Sequence, residues 1–171
     1  MRPRHPVPRQ WLMTDERIGD GLWAALAALP RGSGVVVRHY GLSQAERRAL
    51  LARVERLGRE RGLVVLGAGL PASGGVHNGR SNAPGLRTRS VHHRREAVAA
   101  ARAGADCVFV SPVFATRSHA AARPLGPVRL GLLTRGLPMP VIALGGMNAS
   151  RLRRLGPLRV HGWAGIDAWL R

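Results

Sequence analysis

Short apolar runs, each too brief for a packed helix, recur about eight times along this chain, separated by helical patterns or by Gly/Pro clusters. That alternation narrows the choice of fold more than any other feature of the sequence. A run that is apolar on both faces belongs to a strand covered on both sides, and such strands pair in parallel, each returned to the start of the next by a crossover. The runs are WLMT (Trp11 to Thr14), GVVVRH (Gly34 to His39), LVVLG (Leu63 to Gly67) and GVH (Gly75 to His77) in the first half. RTRS (Arg87 to Ser90), DCVFVS (Asp106 to Ser111), PVIAL (Pro140 to Leu144) and RVHGWA (Arg159 to Ala164) follow in the second.

The clearest helix runs from Ser43 to Arg61, since Ser43 and Glu46 have capping-box spacing and Leu42, Ala45, Ala49, Leu50, Val54 and Leu57 form one apolar stripe. Gly62 ends it. A second helix covers His93 to Ala103, with Ala97, Val98 and Ala101 facing inward and Gly104 just past its end. Further helices are expected at Gly21 to Leu29, Pro127 to Gly136 and Ala149 to Leu155. The stretch AGLPASG between Gly67 and Gly75 is too short for a crossover helix packed on a sheet, and SNAPGL (Ser81 to Leu86) forms a second short connection. The expected fold is therefore α/β, a shortened (β/α)8 TIM barrel whose crossover helices after strands three and four are reduced or missing.

The length of 171 residues suits one core, so residues 9–171 are expected to form a single barrel domain after a loose, basic and proline-rich lead-in at 1–8. No stretch approaches the roughly 20 apolar residues that cross a bilayer, and the first ten residues lack the apolar core of a secretory signal. The lone Cys107 sits in an apolar run as a small buried hydrophobe, and a cytoplasmic address is the expectation. The net charge of +18 would ordinarily raise nucleic-acid binding. All 27 basic residues are Arg, however, in a chain rich in Ala and Gly, and aromatics make up only 4% without interleaving among them. That composition argues against a stacking platform for single strands. Seven histidines with few carboxylate partners and no H-x-x-x-H or C-x-x-C spacing argue against a zinc site.

In a barrel of this kind the working groups stand at the C-terminal ends of the strands, and phosphate is usually held by the last two strand-to-helix loops. Gly145-Gly146 after PVIAL is the sharpest candidate, because paired glycines let backbone amides approach an anion closely. Ala164-Gly165-Ile166 after the last strand would be its partner loop. Other strand ends carry Asp15, Arg38 with His39, His77 with Asn78 and Arg80, Ser90 with His92, Ser111, Thr116, and Ser118 with His119.

Their order is specific. WLMTD opens the first strand, GVH precedes a loop ending in Pro84, and Ser90-x-His92 precedes Glu96. GADCVFVSPVFATRSH (Gly104 to His119) is followed by PLG and then PVIALGGM (Pro140 to Met147). From Trp11 to Ile166 this arrangement resembles the thiamine phosphate synthase family, including its thiazole tautomerase relatives.

The resemblance implies a transferase that joins a pyrimidine methyl pyrophosphate to a thiazole phosphate in thiamine biosynthesis, with small phosphorylated substrates as partners and a homodimer left open. It implies catalytic roles for Arg38, Ser90 and His119, phosphate binding by Gly145, Gly146, Ala164 and Gly165, and substrate contacts from His77, Arg80, Thr116 and Ser118. It also implies Mg²⁺, but here the chain departs from the family. Where the second strand typically reads Gln-x-Arg-x-Lys, this chain has Val36, Arg38 and Tyr40; the Asn-Asp closing the third strand is replaced by Gly67-Ala68, and the second metal-linked Asp by Asn82. Ser118-His119 stands where a Lys follows Thr-x-Thr, and Pro112 where the tautomerase branch keeps its working His. With those carboxylates gone, Arg38, Arg80, Arg117 and Arg123 are left to face pyrophosphate directly. The alternatives are a non-catalytic barrel that binds a phosphorylated ligand and, second, Arg-mediated nucleic-acid binding.

Overall fold

A computed structural model of the chain describes residues 6–80, 82, 84–116 and 122–170. Its strands are β1 (Gln10–Thr14), β2 (Gly34–Val37), β3 (Val64–Ala68), β4 (Gly75–His77), β5 (Leu86–Val91), β6 (Cys107–Val110), β7 (Val141–Leu144) and β8 (Gly162–Gly165). They pair in parallel in sequence order and close into a barrel, with Trp11 of β1 in register with both Gly34 of β2 and Ala164 of β8. Closure leaves no open sheet edge. Around the barrel stand α1 (Leu22–Ala28), α2 (Gln44–Arg61), α3 (Arg94–Arg102), α4 (Gly126–Thr134) and α5 (Ala149–Arg154). The protein is thus a shortened TIM barrel, as its pattern of apolar runs indicates.

The two short connections lack helices among the described residues. Between β3 and β4 the chain makes a tight turn closed by an Ala72–Gly75 bridge. Leu70 folds back into the core there, and the Ser73 amide donates to the Glu55 carboxylate of α2 at 2.6 Å. One inward-turned leucine thereby does part of the covering that a helix would otherwise provide.

The capping box of α2 forms as expected: Ser43 Oγ accepts from the Glu46 amide, and the Glu46 carboxylate accepts from the Ser43 amide. The apolar stripe differs. Ala45 and Ala49 are exposed, while the buried face runs through Leu51, Val54 and Gly58. Gly58 displaces the stripe because a Cβ there would stand 2.6 Å from Val65 Cγ2, so α2 lies on β3 through a residue with no side chain. In α3 the inward positions are Ala97 and Ala100, with Val98 and Ala101 half-buried.

The lead-in also needs correcting at its inner end. Val7 is buried and its carbonyl accepts from His161 Nε2 at 2.8 Å, while the Pro8 carbonyl accepts from Trp11 Nε1 at 2.8 Å. Inside the barrel, Trp11 meets Phe109 edge to face at 5.1 Å, and Phe109 meets His77 likewise at 5.2 Å. Such perpendicular pairs suit ring quadrupoles and fill the interior as a solid core. No described helix is long and apolar enough to cross a membrane.

Candidate functional site

A cavity of about 350 Å³ opens where the strands end, and it is lined by groups from the segments after β2, β4, β6, β7 and β8 and by Ser90 of β5. A larger cavity of about 670 Å³ lies at the opposite end, bounded by Val7, Pro8, Val64, Gly74, Pro84 and Leu86. The larger one is walled mainly by apolar groups and backbone, with Arg9 and Ser73 as the polar residues of its lining. The smaller, at the strand ends, gathers the polar side chains where a barrel of this kind places its working groups.

On one side the ends of β1 and β2 are tied together. Arg38 Nε donates to the Thr14 carbonyl at 3.0 Å, and its Nη2 donates to Asp15 Oδ2 at 3.1 Å. Asp15 also receives Arg17 Nη2, so one carboxylate bridges two guanidiniums. Burial pushes the Arg38 pKa below the usual guanidinium range, and the Asp15 charge opposes that shift. The next residue, His39, is buried with a left-handed φ of 27° and its Nδ1 3.0 Å from Thr14 Oγ1; burial lowers its pKa as well. The turn therefore hangs on a buried ring, and Arg38 and Tyr40, on either side of it, both reach the cavity.

Across the mouth, β4 and β5 hold a polar chain. His77 Nδ1 lies 2.8 Å from Thr88 Oγ1 and its Nε2 lies 3.0 Å from Ser90 Oγ. Asn78, at φ 51°, accepts from the Ser90 amide at 2.8 Å and donates to Ser90 Oγ at 3.3 Å. Burial, reinforced by the charges of Arg38 and Arg89, pushes the His77 pKa down to about 3, so its ring is neutral. His92, two residues beyond Ser90, donates from Nδ1 to the Ser111 carbonyl at 2.9 Å, and its amide donates to Glu96 at 2.6 Å.

The third side is the loop after β7. Gly145 and Gly146 have φ of 92° and 58°, and a Cβ on Gly145 would stand 2.7 Å from Pro112 Cα. On Gly146 it would collide with the Ala115 carbonyl. The glycines are therefore demanded by the fold itself: the Phe114 amide donates to the Gly145 carbonyl at 3.1 Å, and Arg151 Nη1 donates to that of Gly146. Their amides are another matter. Among the described residues, those of Gly145, Gly146 and Met147 donate to no acceptor. The loop lies beside the end of β8, since Leu144 is in register with Ala164.

Of the residues singled out from the sequence, Arg38, Asn78, Ser90, His92, Ser111, Thr116, Gly145, Gly146, Gly165 and Ile166 line this cavity. His77 does not; at 1% exposure it lies behind Ser90 and acts on the cavity only through that hydroxyl. Ala164 is buried within β8, and the lining there passes to Gly165, Ile166 and Asp167. Arg80 and Arg123 are exposed and outside the lining. Arg117, Ser118 and His119 lie outside the described residues. Sequence reasoning missed Met147 and Asp167; their only signal was a place just past a strand end.

The donors present do not fit Mg²⁺. Among the described residues no three His, Cys, Asp or Glu side chains gather as a metal site. Asp15 is committed to two arginines, Glu16 to the Gly41 amide and Glu96 to the His92 amide. Ala68 is buried and carries no ligand, and Asn82 offers a neutral amide where a carboxylate would be needed.

Fold and site together define a TIM barrel whose cavity at the C-terminal ends of its strands is lined by the Arg38 guanidinium, the Asp167 carboxylate and a set of hydroxyl, amide and backbone groups. Comparison with known proteins narrows that class. Residues 85–169 match the family described as thiamine monophosphate synthase. The thiamine-phosphate synthase of Geobacillus thermodenitrificans is 33% identical over 146 residues, covering 74% of this chain and 66% of its own length. That of Desulfitobacterium hafniense is 32% identical over 108 residues, covering 56% of this chain and 52% of its own. A thiamine phosphate pyrophosphorylase from Pyrococcus furiosus superposes with a TM-score of 0.78 over 94% of this chain and 86% of that one, at 24% identity. The chain belongs to the thiamine monophosphate synthase family, and it spans 66% or less of the length of these two curated relatives.

Proposed function

We propose that this protein binds a phosphorylated thiazole at the barrel mouth and couples it to a pyrimidine methyl pyrophosphate. The observation that carries this reading is that one cavity joins the glycine loop after β7, the end of β8 and the Arg38 guanidinium. In the proposed complex the ester phosphate takes the uncommitted amides of Gly145, Gly146 and Met147. The leaving pyrophosphate faces Arg38, whose orientation is set by Thr14 and Asp15 before any ligand arrives. Ser90, held by His77 and Asn78, offers a hydrogen bond to the pyrimidine.

The bond between the pyrimidine methylene carbon and its pyrophosphate oxygen breaks, and the electron pair leaves with pyrophosphate. The thiazole nitrogen lone pair forms the new C–N bond, giving the thiazolium product. Negative charge grows on the leaving group, and with no carboxylate cage for a cation, a guanidinium is the neutralising group. Arg38 keeps Nη1 without a partner among the described residues, which suits it to that task. The commitment of Asp15 to two arginines favours one further reading, a barrel that binds the thiazole phosphate without turnover.

Both readings are tested by incubating the protein with the two substrates, in Mg²⁺ and separately in EDTA, and measuring thiamine phosphate. Product is expected in both buffers, with rates agreeing within about threefold, and Arg38→Met should lower the rate about a hundredfold or more. Absence of product at high protein concentration, with thiazole phosphate still raising Tm, would leave the binding reading alone. No product and no shift would remove both.

A further inference from the structure

We infer that Tyr40 is the platform on which the flat ring of the bound heteroaromatic phosphate stacks, and that it sets the preference of this site for aromatic over aliphatic esters. The inference rests on the function proposed above. Among the described residues the large exposed apolar side chains are Tyr40, Val128, Leu132 and Leu170, and of these Tyr40 alone lines the cavity at the mouth. At 60% exposure its ring is left in water by a fold that encloses Trp11 and Phe109 completely.

That exposure does not come from a loosely tethered segment. His39 is buried before it, the Leu42 amide donates to the His39 carbonyl at 3.2 Å, and the Gly41 amide donates to Glu16 Oε1 at 2.5 Å. The ring is also fixed from one side. The Arg47 guanidinium lies 5.7 Å from its centroid, and Arg47 Nε is buried with no hydrogen-bond partner among the described residues. Arg47 is therefore held against the aromatic face by the cation–π contact and by packing. With that cation 5.7 Å from its centroid, Tyr40 still keeps 60% of its surface in water, which leaves room for a second planar group.

An aromatic ring braced by a cation and still largely in water is pre-organised for stacking, because little side-chain freedom remains to be lost when a ligand ring settles on it. Tyr40 shares its cavity with Gly145, Gly146 and Met147, so a planar ring carrying a phosphate arm can meet the aromatic face and the glycine loop together, while Arg38, two residues earlier, is left to the pyrophosphate. Leu144, Met147 and Ile166 add apolar lining to the same cavity. A purely aliphatic phosphate would gain the amides but nothing from the ring.

Isothermal titration of the whole chain with two probes, 4-methyl-5-(2-phosphonooxyethyl)thiazole and ethyl phosphate, tests this in wild type, Tyr40→Phe and Tyr40→Ala. Wild type is expected to prefer the thiazole ester by about tenfold or more. Tyr40→Ala should lose about tenfold in affinity for that ester while ethyl phosphate changes by less than about twofold, and Tyr40→Phe should stay within about threefold of wild type on both probes. Equal losses on both probes, or full retention of the thiazole ester by Tyr40→Ala, would overturn the stacking role. Equal wild-type affinity for the two probes would overturn it while leaving the phosphate reading intact. Failure of wild type to bind either probe would instead remove the proposed function, and the stacking role with it.

Discussion

His77 carries the clearest consequence at the scale of single residues. Enclosed at 1% exposure, it is neutral in the fold because burial drops its pKa from 6.5 to about 3, whereas in the unfolded chain it takes up a proton below 6.5. Between those values the unfolded state binds more protons, so stability rises with pH and is lost as pH falls through that window. His39, shifted the same way by burial, adds to the slope. Tm is expected to drop between pH 7 and pH 4.5, and His77→Gln should flatten that slope; parallel curves for the two proteins would contradict it. The same residue shows what single positions reveal in a sequence and what they conceal. A His closing a strand reads equally well as a ligand-facing group or a core group, because side chains alternate across a strand and only the register decides which way residue 77 points. Ser90 and Thr116 were legible as strand-end polar groups. The pairing of Asp15 with Arg38 joins residues 23 apart in the chain, and no local pattern announces it.

Among the elements, α2 was the most legible, since Ser43, Glu46 and Gly62 mark its ends by hydrogen-bonding and φ requirements that are wholly local. Its buried face was not, because hydropathy gives glycine no weight and Gly58 is where the helix meets β3. Two effects compete in Gly58→Ala. Helix propensity favours Ala by about 1 kcal/mol. The new methyl would stand 2.6 Å from Val65 Cγ2, and overpacking of that kind costs about 1–3 kcal/mol. Net destabilisation of about 1 kcal/mol is expected by urea unfolding, and a stabilised variant would show that α2 shifts freely on the sheet. The turn between β3 and β4 was legible as a missing helix from its length alone. That Leu70 folds back into the core there depends on the distance to the sheet, which the sequence does not state.

For the whole molecule the net charge of +18 has a direct consequence for stability. The 27 arginines far outnumber the 9 Asp and Glu residues, so most of them repel one another across the surface. Screening that repulsion should raise Tm by a few degrees between about 20 and 200 mM NaCl, since the Debye length contracts across that range. A Tm that falls with salt would mean that attractive pairs dominate instead. Eight apolar runs at this spacing, two of them joined by connections too short for helices, were enough to determine a shortened parallel barrel and to point to its strand ends, because buried parallel strands must be apolar on both faces and a crossover helix has a minimum length. Which polar groups share the mouth was decided only when the barrel closed. Closure alone sets Arg38 against Asp15 and His77 against Ser90, since each of those contacts joins separate strand ends and exists only through their register.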